Sequence, residues 1–151
     1  MKNRIVKICL FTLFVGIFFL GCTSTKKKTP HDLIREKAYD AAMMEFDVPR
    51  INEPDENGNT VLHLAAEINN TNLISFFISK GADPLLKNNN GETPLHVAIE
   101  KRSFEAARIL STISTESLFS RNNNDSTAID LGFQTDDAFY DIFISVPIGE
   151  V

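Results

Sequence analysis

Apolar residues are spread unevenly along the chain. From Ile8 to Leu20 they form a run broken only by Thr12 and Gly16, and from Thr23 to Pro30 the sequence Thr-Ser-Thr-Lys-Lys-Lys-Thr-Pro shows no apolar periodicity. Beyond it, apolar positions come in short clusters at helical spacing, separated by polar turns. They predict a helical stretch from Asp32 to Phe46, then a helix beginning near Leu62 and a second carrying Leu73, Ile74, Phe76 and Phe77. The same pair recurs with Leu95 and then Ala106, Ala107, Ile109 and Leu110. A last unit carries Phe133, then Ala138, Phe139, Ile142 and Phe143, and ends at Pro147 and Gly149. Its acidic residues Asp136, Asp137 and Asp141 fit a helix wetted on its outer side, the first two near its N-terminus. No stretch alternates with the period of two that a half-buried strand requires, so the fold class is all-α.

The clusters are copies of one another. Gly58-Asn59-Thr60-Val61-Leu62-His63-Leu64-Ala65 returns 33 residues later as Gly91-Glu92-Thr93-Pro94-Leu95-His96-Val97-Ala98. Each residue type has a physical use. Gly58 and Gly91 permit positive φ in a tight turn, Thr60 and Thr93 suit a helix N-cap, and Pro94 fits the first helical position, where its missing N–H costs nothing. Leu62 and Leu95 then point to the core, and Ala65, Ala66 and Ala98 are small enough for helices to approach. With Gly81-Ala82-Asp83 after the second helix, this unit resembles the ankyrin repeat. The resemblance implies a short solenoid of helix-turn-helix units: two clear repeats, about 55–88 and 89–122, with degenerate capping units on either side. Upstream, Ile51-Asn52 reads as the end of a first unit. Downstream, Asp125-Ser126-Thr127-Ala128-Ile129-Asp130-Leu131 is a further unit, shifted by one residue, that lacks the Gly, Pro and His. In the second clear repeat the Gly-Ala-Asp loop gives way to Ser114-Thr115-Glu116, one residue longer. Weak terminal units are what a solenoid needs, since they face water on one side.

The first residues read as an address. Lys2, Arg4 and Lys7 precede the apolar run, which is too short for the roughly 20 residues of a comfortable membrane span, and Gly21-Cys22 follows it. Phe19-Leu20-Gly21-Cys22 resembles the lipobox of bacterial lipoproteins, with Phe19 where Leu is commoner. That resemblance implies a signal peptide over 1–21, Cys22 acylated as the first mature residue, a polar tether over 22–30 and a repeat domain over 31–151. An uncleaved helix, or secretion with Cys22 as an ordinary thiol, are the alternatives. Cys9 falls inside the signal, which leaves Cys22 as the single mature thiol and rules out an internal disulfide. Thr23 after Cys22, where inner-membrane retention signals often place Asp, favours the outer membrane of the bacterial envelope.

Charge narrows the partner class. The whole chain carries −5, but every one of its 20 acidic residues lies beyond Arg4 and Lys7, so the part after the tether is strongly acidic. Such a surface excludes nucleic acid, whose phosphates need Lys and Arg. No phosphate-cradling glycine motif, nucleophile elbow or metal-ligand cluster occurs, so no catalytic residue, metal or cofactor is expected. The ankyrin resemblance assigns His63 and His96 to backbone hydrogen bonds between adjacent turns; His31 has no partner in the sequence pattern. What remains is recognition. The resemblance places the binding surface on turn tips and inner helices, here Glu56, Asn57, Asn59, Glu67 and Ile68, then Asn89, Asn90, Glu92, Glu100 and Lys101, with Asn123, Asn124 and Ser126 in the degenerate unit. Asparagine has a second reading there, because it bonds its own chain in turns. The expected activity is that of a monomeric, membrane-tethered module holding a protein partner with a basic surface. An inhibitor or immunity protein that occludes a secreted toxin or hydrolase, and an inert envelope spacer, are the competing readings.

Overall fold

Each inner helix of the computed structural model starts on a threonine. The structure describes residues 28–44 and 50–146, so the readings on residues 1–27, on Phe46 and on Pro147 and Gly149 lie outside the described residues. Helices α1 (Pro30–Arg35), α3 (Val61–Glu67), α5 (Pro94–Glu100) and α8 (Ala128–Thr135) follow Thr29, Thr60, Thr93 and Thr127, all in extended N-cap conformation. At the outer two, a capping box closes the first turn: the Thr29 and Thr127 N–H groups donate to the Asp32 and Asp130 carboxylates, both at 2.9 Å. At the inner two, the imidazoles of His63 and His96 take the aspartate's place, their Nδ1 atoms accepting from the threonine N–H at 3.1 and 3.3 Å.

Outer helices complete the pairs: α2 (Tyr39–Met44), α4 (Thr71–Ser79), α6 (Phe104–Ile113) and α9 (Ala138–Ile144), with a short α7 (Glu116–Phe119) between the third and fourth units. Inner helices pack in the order α1, α3, α5, α8, and outer helices in the order α2, α4, α6, α9. Among the described residues there is no strand, only an isolated antiparallel bridge between Arg121 and Thr127. The architecture is the all-α stack expected from the repeat.

The core follows the periodicity. Leu62, Leu95, Ala65 and Ala98 are sealed, as are Leu73, Ile74 and Phe77 and their counterparts Ala106, Ala107 and Leu110; Phe76 and Ile109 are half-buried. Burying such side chains contributes about 1.5–3 kcal/mol each for the larger ones, the main drive for stacking.

Three boundaries differ from the sequence reading. The stretch Asp32–Phe46 is not one helix: the chain breaks after Arg35, with Lys37 at φ 61°, and restarts at Tyr39. Asn69 (φ 54°) and Arg102 (φ 55°) make the same left-handed step between the helices of the next two units, so the break is the repeat's own hairpin. Thr29 and Pro30, assigned to the tether, belong to the first helix and its cap. Phe133, placed on the buried face of the last unit, is 54% exposed, and Phe139 and Phe143 fill the space beside Gly132 instead. Asp136, not Asp137, caps α9, its Oδ1 accepting from the Ala138 N–H at 3.0 Å.

In the degenerate unit Asp125 stands at the place of Gly58 and Gly91 and holds the same left-handed backbone, φ 61°. An L-residue is strained there, and its exposed ion pair with Arg121 (3.3 Å) offsets little. Asp125→Gly is expected to raise unfolding stability by about 0.5 kcal/mol, read from urea titration; a loss would mean the ion pair outweighs the strain.

Candidate functional site

The turns before the inner helices share one internal plan. Asp55 Oδ1 accepts from the N–H groups of Asn57 and Asn59, both at 2.8 Å; Asn88 Oδ1 does so for Asn90 and Glu92, and Asn122 Oδ1 for Asn124 and Ser126. Neighbouring turns are then laced together. The Asn89 N–H donates to Asn57 O (3.1 Å) and its side-chain amide to Glu56 O (3.2 Å); Asn123 repeats both moves on Asn90 O and Asn89 O, each at 3.0 Å. The histidines add a second row. His63 Nδ1 is occupied by the Thr60 N–H and hydroxyl, so its Nε2–H donates to Glu92 O at 2.9 Å. His96 does the same to Ser126 O at 3.3 Å. His31, which had no partner in the sequence pattern, is buried and reaches Asn59 O at 3.1 Å. It bridges the first two turns from one position earlier in its helix. Burial holds all three imidazoles below their usual pKa, against the pull of the carbonyls they meet.

Beneath these turns, against α3 and α5, lies a groove of about 420 Å³. Leu64 and Val97 floor it, and Asn57, Asn59, Asn89 and Asn90 rim its turn side. Glu67, Glu92, Glu100 and Lys101 line the helix side, with Arg35 and Asn88 contributing from either flank. Eight of the ten expected binding residues therefore share one cavity. Glu56 and Ile68 lie outside it. The register should have pointed to the others that line it: Asn88 stands 33 residues after Asp55, and Leu64 and Val97 occupy one repeat position.

The cations of the groove are already engaged. Lys101 pairs with Glu67 at 3.3 Å, and Arg35 pairs with Asp55, whose carboxyl is lowered by the Asn59 and Asn57 N–H groups and Arg35 despite its burial. Glu92 is not an exposed contact residue but is 7% exposed, its carboxylate bonded by the Asn88 and Asn90 amides at 2.9 and 3.3 Å. Burial pushes its pKa up, yet those amides and the Glu100 carboxyl bring it below the ordinary value. Glu100 is pushed the other way, to about 7, first by burial and then by its hydrogen bond to Glu92 and that neighbour's charge. The two carboxyls share a proton near neutrality. Among the described residues no group of three or more His, Cys, Asp or Glu side chains is placed to hold a metal ion, and no helix is long and apolar enough to cross a membrane.

A carboxyl with a raised folded pKa stabilises the protein below its unfolded value, and that contribution is lost as pH rises through the folded one. Glu100→Gln keeps a neutral hydrogen-bonding group, so it should be nearly neutral at pH 5 and should stabilise at pH 8. Screened at a partly exposed site, the gain is about 1 kcal/mol. Urea titrations at both pH values check this; an equal difference at each would mean Glu100 is ionised throughout.

A family model for ankyrin repeats, in three copies, matches residues 33–125. Over 88 residues the chain is 33% identical to the human transient receptor potential cation channel subfamily A member 1, covering 58% of this chain and 8% of that one. It is also 39% identical over 57 residues to an ankyrin repeat protein of Rickettsia felis, covering 36% of this chain and 25% of that protein. With ankyrin repeat protein 14 of vaccinia virus it shares 38% identity over 61 residues, 40% of this chain and 26% of the viral one. The chain thus spans a quarter or so, or less, of the length of these relatives.

Proposed function

Because the chain belongs to the ankyrin-repeat family, a protein-binding module that is generally non-catalytic, we propose that it is a monomeric, membrane-tethered binding protein of the bacterial envelope. Its groove between the second and third units holds a basic segment of a protein partner. The observation that carries this reading is the Glu92–Glu100 pair. Arg35 and Lys101 already have carboxylate partners, whereas these two carboxyls share a proton where a lysine or arginine side chain would fit. An incoming cation replaces that proton, so binding is favoured above pH 7 and weakens with salt. Leu64 and Val97 supply the apolar floor that excludes water from the contact.

The tether is the second half of the proposal. Gly21-Cys22 after the apolar run supports acylation at Cys22, and Thr23 favours the outer membrane. A chain of this kind gains about 0.8 kcal/mol per methylene buried in the bilayer, so several acyl chains anchor firmly.

The test is crosslinking in the native cell from a photoreactive residue at Asn57, on the groove rim, beside a Glu100→Lys version. A captured basic segment that is lost in the lysine version supports the groove. Capture that ignores Glu100→Lys, or none while the protein is folded and membrane-bound, overturns it. If the captured protein is one secreted enzyme, the inhibitor reading is favoured. Cys22→Ser should move the protein out of the membrane fraction if the tether is right.

A further inference from the structure

Counted back by 34 residues, Phe133, Tyr140 and Ile144 fall on Ile99, Ala106 and Leu110, and 33 further back on Ala66, Leu73 and Phe77. The six interior side chains are at most 1% exposed, whereas Phe133, Tyr140 and Ile144 are 54%, 51% and 63% exposed. In the interior this face is covered by the next pair of helices, as α8 and α9 cover α5 and α6. No further pair follows α9 among the described residues, so the stacking face stands open. A solenoid's outermost face is ordinarily polar. Here the substitutions are large and apolar, and the Phe133 and Tyr140 rings lie together, their centroids 5.8 Å apart.

The flank of this face is acidic. On α9 and its cap, Asp137, Tyr140, Asp141 and Ile144 follow at helical spacing on one stripe, and both aspartates are exposed. Among the described residues neither is in an ion pair. We propose that the open end of the stack is a docking site for an amphipathic helix of a partner protein, apolar on one side and lysine- or arginine-bearing along its edge. A helix fits because the repeat geometry seats helices on these positions in every interior unit. A basic edge fits because it answers Asp137 and Asp141. A second copy of this chain fits worse, since a two-fold contact would bring the same carboxylates together. The site is at the end of the stack, apart from the groove, and needs neither Glu92 nor Glu100.

The test uses the full chain in nonionic detergent and two synthetic helical peptides with the same leucine stripe, one with lysine flanks and one with glutamate flanks. Fluorescence anisotropy should show the lysine peptide binding at least about tenfold more tightly. Tyr140→Ser with Ile144→Ser should weaken it by about tenfold without lowering the melting temperature, because both side chains are largely in water. Asp137→Asn with Asp141→Asn should remove the preference between peptides, while Glu100→Lys should leave it intact. Equal binding of the two peptides, or binding indifferent to the Tyr140 and Ile144 pair, overturns the proposal. So does a dimer in sedimentation that the serine pair dissolves, which would give the face to a second copy.

Discussion

His63→Ala is expected to destabilise the protein by about 3 kcal/mol, lowering the melting temperature by about 12 °C at roughly 4 °C per kcal/mol for a domain of this size. The side chain is 1% exposed and engages three buried groups: the Thr60 N–H, the Thr60 hydroxyl and the Glu92 carbonyl. Alanine strands them all. Each dry unsatisfied group costs about 1–3 kcal/mol, and water entering the imidazole's space recovers part of the sum. His96→Ala should cost less, because its bond to Ser126 O is longer, 3.3 Å against 2.9 Å. Partner capture at Asn57 should survive His63→Ala below the new melting temperature. Loss of capture with unchanged melting would make His63 a binding residue and not a strut. The same histidines give an acid limb. Their folded pKa values are depressed, so their share of stability is present above the usual imidazole value and declines as pH falls below about 6.5.

How far the sequence could be read depended on whether a residue's partner lay within one repeat or in the next. The turn, cap and core positions are local, and the 33-residue register found them: Gly58 and Gly91, Thr60 and Thr93, Leu62 and Leu95 all do what their types suggest. Asn89 is different. Its amide is spent on Glu56 O across the repeat boundary, which its own neighbours in sequence do not reveal. Glu92 looked exposed because its counterpart Asn59 is partly so, but a carboxylate there draws in the Asn88 and Asn90 amides and meets Glu100 one helix turn beyond the motif. His31 escaped the register because the first unit is one residue out of phase, and Arg35 escaped because its partner, Asp55, belongs to the next unit. In the last unit the helical spacing was legible, but which side would be left uncovered depended on the neighbour that is not there.

The boundary between units is also where substitution should hurt most, and Gly91→Ala is the sharpest case, with an expected loss of about 3 kcal/mol or more. Two penalties combine. Gly91 holds φ +74°, where alanine costs about 1 kcal/mol. Its added Cβ would also sit 2.3 Å from Asn123 Oδ1 and 2.8 Å from the Asn123 backbone nitrogen. A side-chain oxygen could swing aside. The backbone nitrogen cannot, because it is tied to Asn90 O at 3.0 Å, so relief requires parting the third and fourth turns. That movement would also pull Ser126 O away from His96 and unseat α8 from α5. Gly81→Ala isolates the first penalty: Gly81 is at φ +92° with nothing within 4 Å of the new methyl, so only the conformational cost of about 1 kcal/mol remains. Urea titration of both variants decides the matter. A loss at Gly91 no larger than at Gly81 would mean that the turns are free to separate, and that the fourth unit is held by its helices alone and not by the lacing of the turns.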